Sequence, residues 1–146
     1  MTGCFHRGAI VQGLRSSDKY DAIKELIQKA PVFSKMNNRE VEEAVIQREK
    51  ILSTGLGRGV ALAHGTTPAV KEIMIALGIS QKGIKFDSFD NAPVHPEKKV
   101  EYLSALAAVT SLVRDDEFRA SLYAPVPAFE IEKKISQAFQ SCLKRR

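Results

Sequence analysis

Only two cysteines, Cys4 and Cys142, occur in the 146 residues, near opposite ends of the chain. They form no C-x-x-C pair and lie beside no histidine cluster, so neither a disulfide framework nor a zinc site is expected. Two ordinary thiols are the remaining reading, with Cys142 placed on the apolar stripe of the last helix as a core residue. No stretch approaches the ~18 to 20 apolar residues that a membrane-spanning helix needs. Near the N-terminus, Ala9-Ile10-Val11 is interrupted by Gln12, which is too short for the core of a signal peptide. A cytoplasmic chain that does not insert into membranes is therefore expected. Low-complexity stretches, repeats and Gly/Ser linkers are also lacking, and the length suits one domain, residues 1–146. The net charge of +5 is mild and dispersed. Its densest cluster, Lys144-Arg145-Arg146, sits at a helix C-terminus, where cations suit the dipole. A nucleic-acid surface would gather basic residues on one face with stacking aromatics, so a nucleic-acid partner is not expected. An acidic protein surface is the better match for such a charge.

What the chain does contain is a set of well-punctuated elements. Ser16-Ser17-Asp18 opens a helix that Tyr20, Ile23, Leu26, Ile27 and Ala30 continue at helical spacing until Pro31. Asn37-Asn38 opens a second, with Glu40 three residues after Asn37 as a capping box and Val41, Ala44, Val45 and Ile51 as its apolar face. Ser53 to Gly59 reads as a glycine-rich loop. Val60 to Ala63 reads as a short buried strand, and Glu72 to Ile79 alternates as a longer one, with Ile84 to Asp87 a short extended piece. Pro96 suits a helix start, and an apolar face follows from Val100 to Val113. A short helix is expected around Asp116 to Tyr123, and a final amphipathic one from Phe129 to Leu143 after Pro125 and Pro127. The fold class is α/β (α+β): one layered domain with a short mixed sheet flanked by helices.

The informative stretch runs from Arg48 to Thr67. A glycine-rich loop leads into a strand of small residues, and the strand delivers His64 to its end, followed by Gly65, Thr66 and Thr67. A neutral imidazole is nucleophilic near pH 7 and suits phosphoryl relay. One ring nitrogen attacks phosphorus while the other holds its proton against an acceptor. Loop N–H groups exposed by the glycines can form a nest for phosphoryl oxygens, and Arg48 could pair with them in a bidentate way. Small residues around His64 would let another protein's backbone approach. The bland alternative is a structural histidine after an apolar strand, and chemistry alone leaves both open. The loop lacks a Gly-Lys-Ser/Thr ending, so it is not a nucleotide-binding P-loop.

The run Arg48-Glu49-Lys50-Ile51-Leu52-Ser53-Thr54-Gly55-Leu56-Gly57-Arg58-Gly59-Val60-Ala61-Leu62-Ala63-His64-Gly65 resembles the hallmark of fructose/mannitol-type (type 2) enzyme IIA domains of the phosphoenolpyruvate-dependent sugar phosphotransferase system, including nitrogen-regulatory IIA-like proteins. Ser17 to Ile27, Gly83 to Asp87 with Asn91 to Val94, and Tyr102 to Phe118 resemble further family segments. The resemblance implies a phosphocarrier with no cofactor and no metal. His64 would take a phosphoryl group from an HPr-type histidine phosphocarrier protein, then pass it to a IIB domain or hold it as a signal for a regulatory target. Arg48 would support the phosphorylated ring. Thr54, Gly55, Gly57 and Gly59 would shape the site, with Thr66 and Tyr102 in support.

Three departures stand against that pattern. Ala63 replaces the family's proline before the histidine. Tyr102 replaces a second histidine at the start of the long helix; a phenol can donate a hydrogen bond but carries no charge. Between Val94 and Pro96 the chain lacks roughly eight residues, about the length of one central strand. His95 is read as a surface loop residue, with replacement of the second histidine as the other possibility. The deletion motivates an alternative, a relay-impaired module of the same fold that binds a regulatory protein. The lack of a fused IIB or membrane portion suits a regulatory member at least as well as a transport one.

Overall fold

The computed structural model describes residues 8–57, 59–86 and 109–144. Strand β1 (Ile10–Gln12) is followed by α1 (Lys19–Lys29), a 3-10 turn at Pro31–Phe33, α2 (Asn38–Ile51), β2 (Gly55–Gly57), β3 (Val60–Ala61) and β4 (Leu77–Ile79). Residues 109–114 are helical. Two more helices, α3 (Asp116–Leu122) and α4 (Ala128–Lys144), close the chain. The described strands form two pairs. β1 and β4 run parallel with Ile10 opposite Leu77, and β2 and β3 form an antiparallel hairpin with an irregularity between Gly55 and Gly57.

Strand β1 organises the layers. Successive side chains on a strand point to opposite faces. Val11 joins Leu14, Ile23, Ile27, Ala30, Phe33 and Val41 in a core beneath α1 and α2. Ile10 joins Ile79, Leu122, Ile131 and Ile135 in a second core beneath α3 and α4. The register agrees: Gln12, on the face of Ile10, donates from its amide to the Val126 carbonyl in the α3–α4 connection at 3.1 Å. Gly78, opposite Val11, leaves room for the Leu14 and Leu26 side chains. The result is helices on both faces of a short sheet, as expected for the class.

The helix punctuation follows the sequence. Asp18 caps α1 by accepting from the Tyr20 N–H at 3.2 Å. Asp115 caps α3 by accepting from the Phe118 N–H at 2.8 Å. Asn37 caps α2 through the Glu40 N–H at 3.4 Å, but the reciprocal half of the expected capping box is absent. The Glu40 carboxylate instead accepts from the Thr67 hydroxyl at 2.9 Å. Ile51 is not on the buried face of α2; it is 80% exposed. Glu49 is buried in its place, because the hairpin that follows covers that side of the last turn.

Strand content is shorter than the alternation from Glu72 suggests. The ladder on β1 begins only where the Leu77 N–H meets the Ala9 carbonyl at 2.8 Å. Before Ala9 the chain turns away at Gly8, with φ of 85° and its N–H held by Glu132 at 2.9 Å. Among the described residues, the paired strand therefore covers only Leu77–Ile79, and Met74 and Ala76 pack on the first core. The extended piece at Ile84 is present as a parallel bridge between Asp18 and Lys85. The expected helix start at Pro96, the segment Val100 to Ala108, and the deletion after Val94 lie outside the described residues.

The turn before α1 is closed by one carboxylate. Glu25 accepts from the Arg15 N–H, the Ser16 N–H and the Ser16 hydroxyl, each at 2.9 Å in the shortest contact, and pairs with Lys29 at 2.6 Å. The Lys29 ammonium first, and then the Ser16 N–H, hold its carboxyl down from 4.5 to about 2. A depressed folded-state value gives stability that is present above the unfolded value and lost as pH falls through the folded one. Glu25→Gln should therefore lower the urea midpoint at pH 7. The gap from wild type should narrow steadily as pH falls below about 4.5 toward 2, which urea titrations at pH 7, 4 and 3 would read.

Candidate functional site

The stretch from Glu49 to Thr67 forms one continuous support for His64. The glycine-rich segment is not a loop but the β2–β3 hairpin, with Gly55 opposite Ala61 and Gly57 opposite Val60. Gly59 supplies the left-handed turn, with φ of 75°, a conformation that glycine adopts at little cost. The predicted strand Val60 to Ala63 is paired only over Val60–Ala61. One further bond continues the pairing, from the Leu62 N–H to the Thr54 carbonyl at 3.0 Å. His64 follows directly. Its Nδ1 lies 2.7 Å from the Leu62 carbonyl. A carbonyl only accepts, so Nδ1 carries the proton and the lone pair is on Nε2.

The chain beyond His64 lies against α2. A Cβ on Gly65 would stand 2.8 Å from the Ala44 carbonyl carbon and 2.9 Å from the Ala44 oxygen and the Val45 nitrogen. The small residue here thus serves contact with the chain's own helix backbone, where the sequence suggested room for another protein. One turn toward the N-terminus of α2, Thr67 donates to Glu40. The same hydroxyl accepts from the Ala69 N–H at 3.2 Å. Thr66, between these anchors, is exposed. Ala63, where the family carries proline, packs against the first core.

Behind the hairpin is a group that the sequence reading did not single out. The Glu49 side chain is fully buried. It accepts from the Ser53 hydroxyl at 3.0 Å, from the Thr54 N–H at 3.1 Å to each oxygen, and from the Thr54 hydroxyl. Lys19, from the start of α1, approaches it at 3.5 Å. Thr54 is accordingly a buried structural residue whose hydroxyl faces Glu49. A glutamate four and five residues before Ser-Thr at a helix end was the available signal, since those hydroxyls and the frayed N–H need an acceptor.

Arg48 sits in the last turn of α2, where one of its five donors caps the helix by reaching the Leu52 carbonyl at 2.9 Å. The structure thus brings Arg48, Thr54, Gly55, Gly57, Gly59 and His64 into one unit of helix end and hairpin. Tyr102 and His95 lie outside the described residues. Among the described residues, no group of three or more His, Cys, Asp or Glu side chains could hold a metal, and no helix is long and apolar enough to cross a membrane.

A histidine presented after a hairpin, with a separate short parallel sheet that carries helices on both faces, fits an α/β domain. Residues 4–137 match the family model for the phosphoenolpyruvate-dependent sugar phosphotransferase system, EIIA 2, and the chain belongs to that family. It is therefore a IIA-type component, of the kind that serves phosphoryl relay or regulatory signalling. A nitrogen regulatory protein of Bradyrhizobium diazoefficiens is 35% identical over 124 residues, covering 80% of this chain and 81% of that one. The fructose-specific EIIABC component of Bacillus subtilis is 29% identical over 131 residues, covering 84% of this chain but 21% of that protein. Among solved structures, the nitrogen regulatory protein IIA-Ntr of Neisseria meningitidis aligns with a TM-score of 0.76 at 27% identity, over 92% of this chain and 97% of that one.

Proposed function

We propose that residues 1–146 form a single phosphocarrier domain in which His64 accepts a phosphoryl group on Nε2 from an HPr-type phosphohistidine protein. The observation that carries this reading is the 2.7 Å contact between Nδ1 and the Leu62 carbonyl. It keeps the nucleophilic lone pair on Nε2 and offers an acceptor for the proton as charge develops on the ring. In the transfer, the Nε2 lone pair forms the new N–P bond while the donor's N–P bond breaks and its ring nitrogen keeps the electron pair. Little else is asked of the protein beyond positioning and charge stabilisation. Arg48 supplies charge with the donors not used on Leu52, and the Thr54 to Gly59 hairpin shapes the site, with Thr66 and Tyr102 in support. Exposed Ile51 and Leu56 on the same unit offer apolar contacts for the partner proteins.

From His64 the group passes to a IIB domain or stays as a regulatory signal in the cytoplasm. The regulatory branch is supported by the nitrogen regulatory relatives, which align over four-fifths of both chains. The test is intact-mass spectrometry after incubation with phosphoenolpyruvate, enzyme I and HPr at neutral to alkaline pH. One phosphoryl group should be gained by the wild type and none by His64→Ala. A folded wild type that gains nothing would replace this reading with a relay-impaired, protein-binding module.

A further inference from the structure

One ion pair and three hydrogen-bonded links run from the start of α1 to the imidazole of His64. Lys19 at the start of α1 meets the Glu49 carboxylate at 3.5 Å, and its ammonium also lies 5.2 Å from the centre of the Tyr20 ring. The Glu49 carboxylate grips Thr54 twice, at its N–H and at its hydroxyl. The Thr54 carbonyl accepts the Leu62 N–H at 3.0 Å. The Leu62 carbonyl faces His64 Nδ1 at 2.7 Å. Each residue in the series is fixed on one side by the group before it and fixes the next on the other side.

The arrangement is more costly than a structural role requires. A charged carboxylate with no solvent exposure must recover its lost hydration from its partners. Ser53, Thr54 and Lys19 supply those partners, and two of them belong to the segment that sets the start of the hairpin. A charged acceptor holds N–H and O–H donors more tightly than a neutral one. The effect is to fix Thr54, and through it the direction in which the Leu62 carbonyl points. That direction decides which ring nitrogen of His64 holds the proton.

We infer that Glu49 is a positioning residue for His64: through Thr54 and Leu62 it holds the imidazole in the tautomer whose lone pair is on Nε2. The catalytic part of this inference rests on His64 being the phosphoryl acceptor; the tautomer part does not. Outer hydrogen-bond partners that orient a histidine act in this way in metal sites, where their loss costs about 10- to 100-fold in function.

The experiment uses the full chain with Glu49→Gln, which keeps the size and loses the charge. Long-range proton–nitrogen NMR of the His64 ring in the unphosphorylated protein reads the tautomer. Phosphoryl uptake from phosphorylated HPr reads the saturating rate and the half-saturating concentration separately. The expected result is a mixed tautomer in the variant and a saturating rate lowered by about tenfold or more, with half-saturation unchanged because the docking surface is untouched. Lys19→Met removes the outermost link and keeps the Glu49 bonds to Thr54: it should lower thermal stability and move the tautomer less than Glu49→Gln does. A folded Glu49→Gln protein with both tautomer and rate unchanged would overturn the inference. If Glu49→Gln does not fold, Thr54→Val removes the hydroxyl link alone and should move the tautomer in the same direction; an unmoved ring would again overturn it. Should the wild type take up no phosphate while the tautomer still responds to Glu49, the acceptor reading falls and the positioning of His64 stands.

Discussion

Gly65→Ala is expected to cost this protein most of its phosphoryl uptake while leaving it folded. The added methyl carbon would meet three backbone atoms of α2, at Ala44 and Val45, at 2.8 to 2.9 Å. Backbone inside a helix cannot give way as a flexible side chain can, so the segment carrying His64 must lift instead. Overpacking of this kind costs about 1–3 kcal/mol. Lifting the segment also strains the Thr67–Glu40 bond, the second point at which it is tied to α2. A misplacement of about 1 Å in a reacting group can cost on the order of 100-fold in rate. The check is uptake from phosphorylated HPr beside a urea melt: a rate down by about that factor with a midpoint only modestly lower is the expected pair. An uptake rate equal to wild type would mean that contact with α2 does not set the position of His64.

The second large effect is on stability and belongs to Glu49→Ala. Its carboxylate holds the Ser53 hydroxyl, the Thr54 N–H and the Thr54 hydroxyl and faces Lys19. Alanine would leave those donors and the Lys19 ammonium without their acceptor in the interior. Removing one partner of a buried ion pair costs about 3–5 kcal/mol, and each buried donor left unsatisfied costs about 1–3 kcal/mol. These overlap, so a loss of about 3 kcal/mol is expected. Equilibrium urea denaturation at pH 7 measures it. By contrast, the exposed pair Arg39–Glu43 on the same helix belongs to a kind that contributes roughly 0.3–0.5 kcal/mol. A loss of that smaller size at Glu49 would show that its bonds are easily replaced by water.

Much of the helical frame was legible because its signals are local. Asp18, Asn37 and Asp115 each accept from an N–H two or three residues ahead, and Pro31 and Pro127 stand at helix ends. Such rules need no knowledge of the rest of the chain. Strands were harder, because a strand exists only where a partner does. β1 is three residues long and was read only as an apolar run too short for a leader sequence; β4 was read five residues too long because the alternation continues where the ladder does not. The glycine-rich segment was read as a loop because its glycines disfavour a strand, yet Gly55, Gly57 and Gly59 permit a tight, irregular hairpin. The candidate site was legible as a motif, centred on His64 and Arg48, but not as a structure. Glu49 was hidden because a glutamate in a helix usually faces water, and only the fold places Ser53, Thr54 and Lys19 around it. Ile51 misled for the converse reason: it is apolar but extends from the last residue of α2, past the core.

The division of the interior by β1 has a dynamic consequence. The α2 backbone beside Gly65, the hairpin, and the Glu49–Lys19 pair reaching α1 all support the His64 segment from the Val11 side. Helices α3 and α4 belong to the Ile10 side and meet the other half chiefly through β1 and β4. Regions that pack into separate cores can open as separate cooperative units. The C-terminal helices can therefore loosen or shift on binding another molecule while the half that carries His64 keeps its geometry, and among the described residues the paired strands β1 and β4 lie between the two cores.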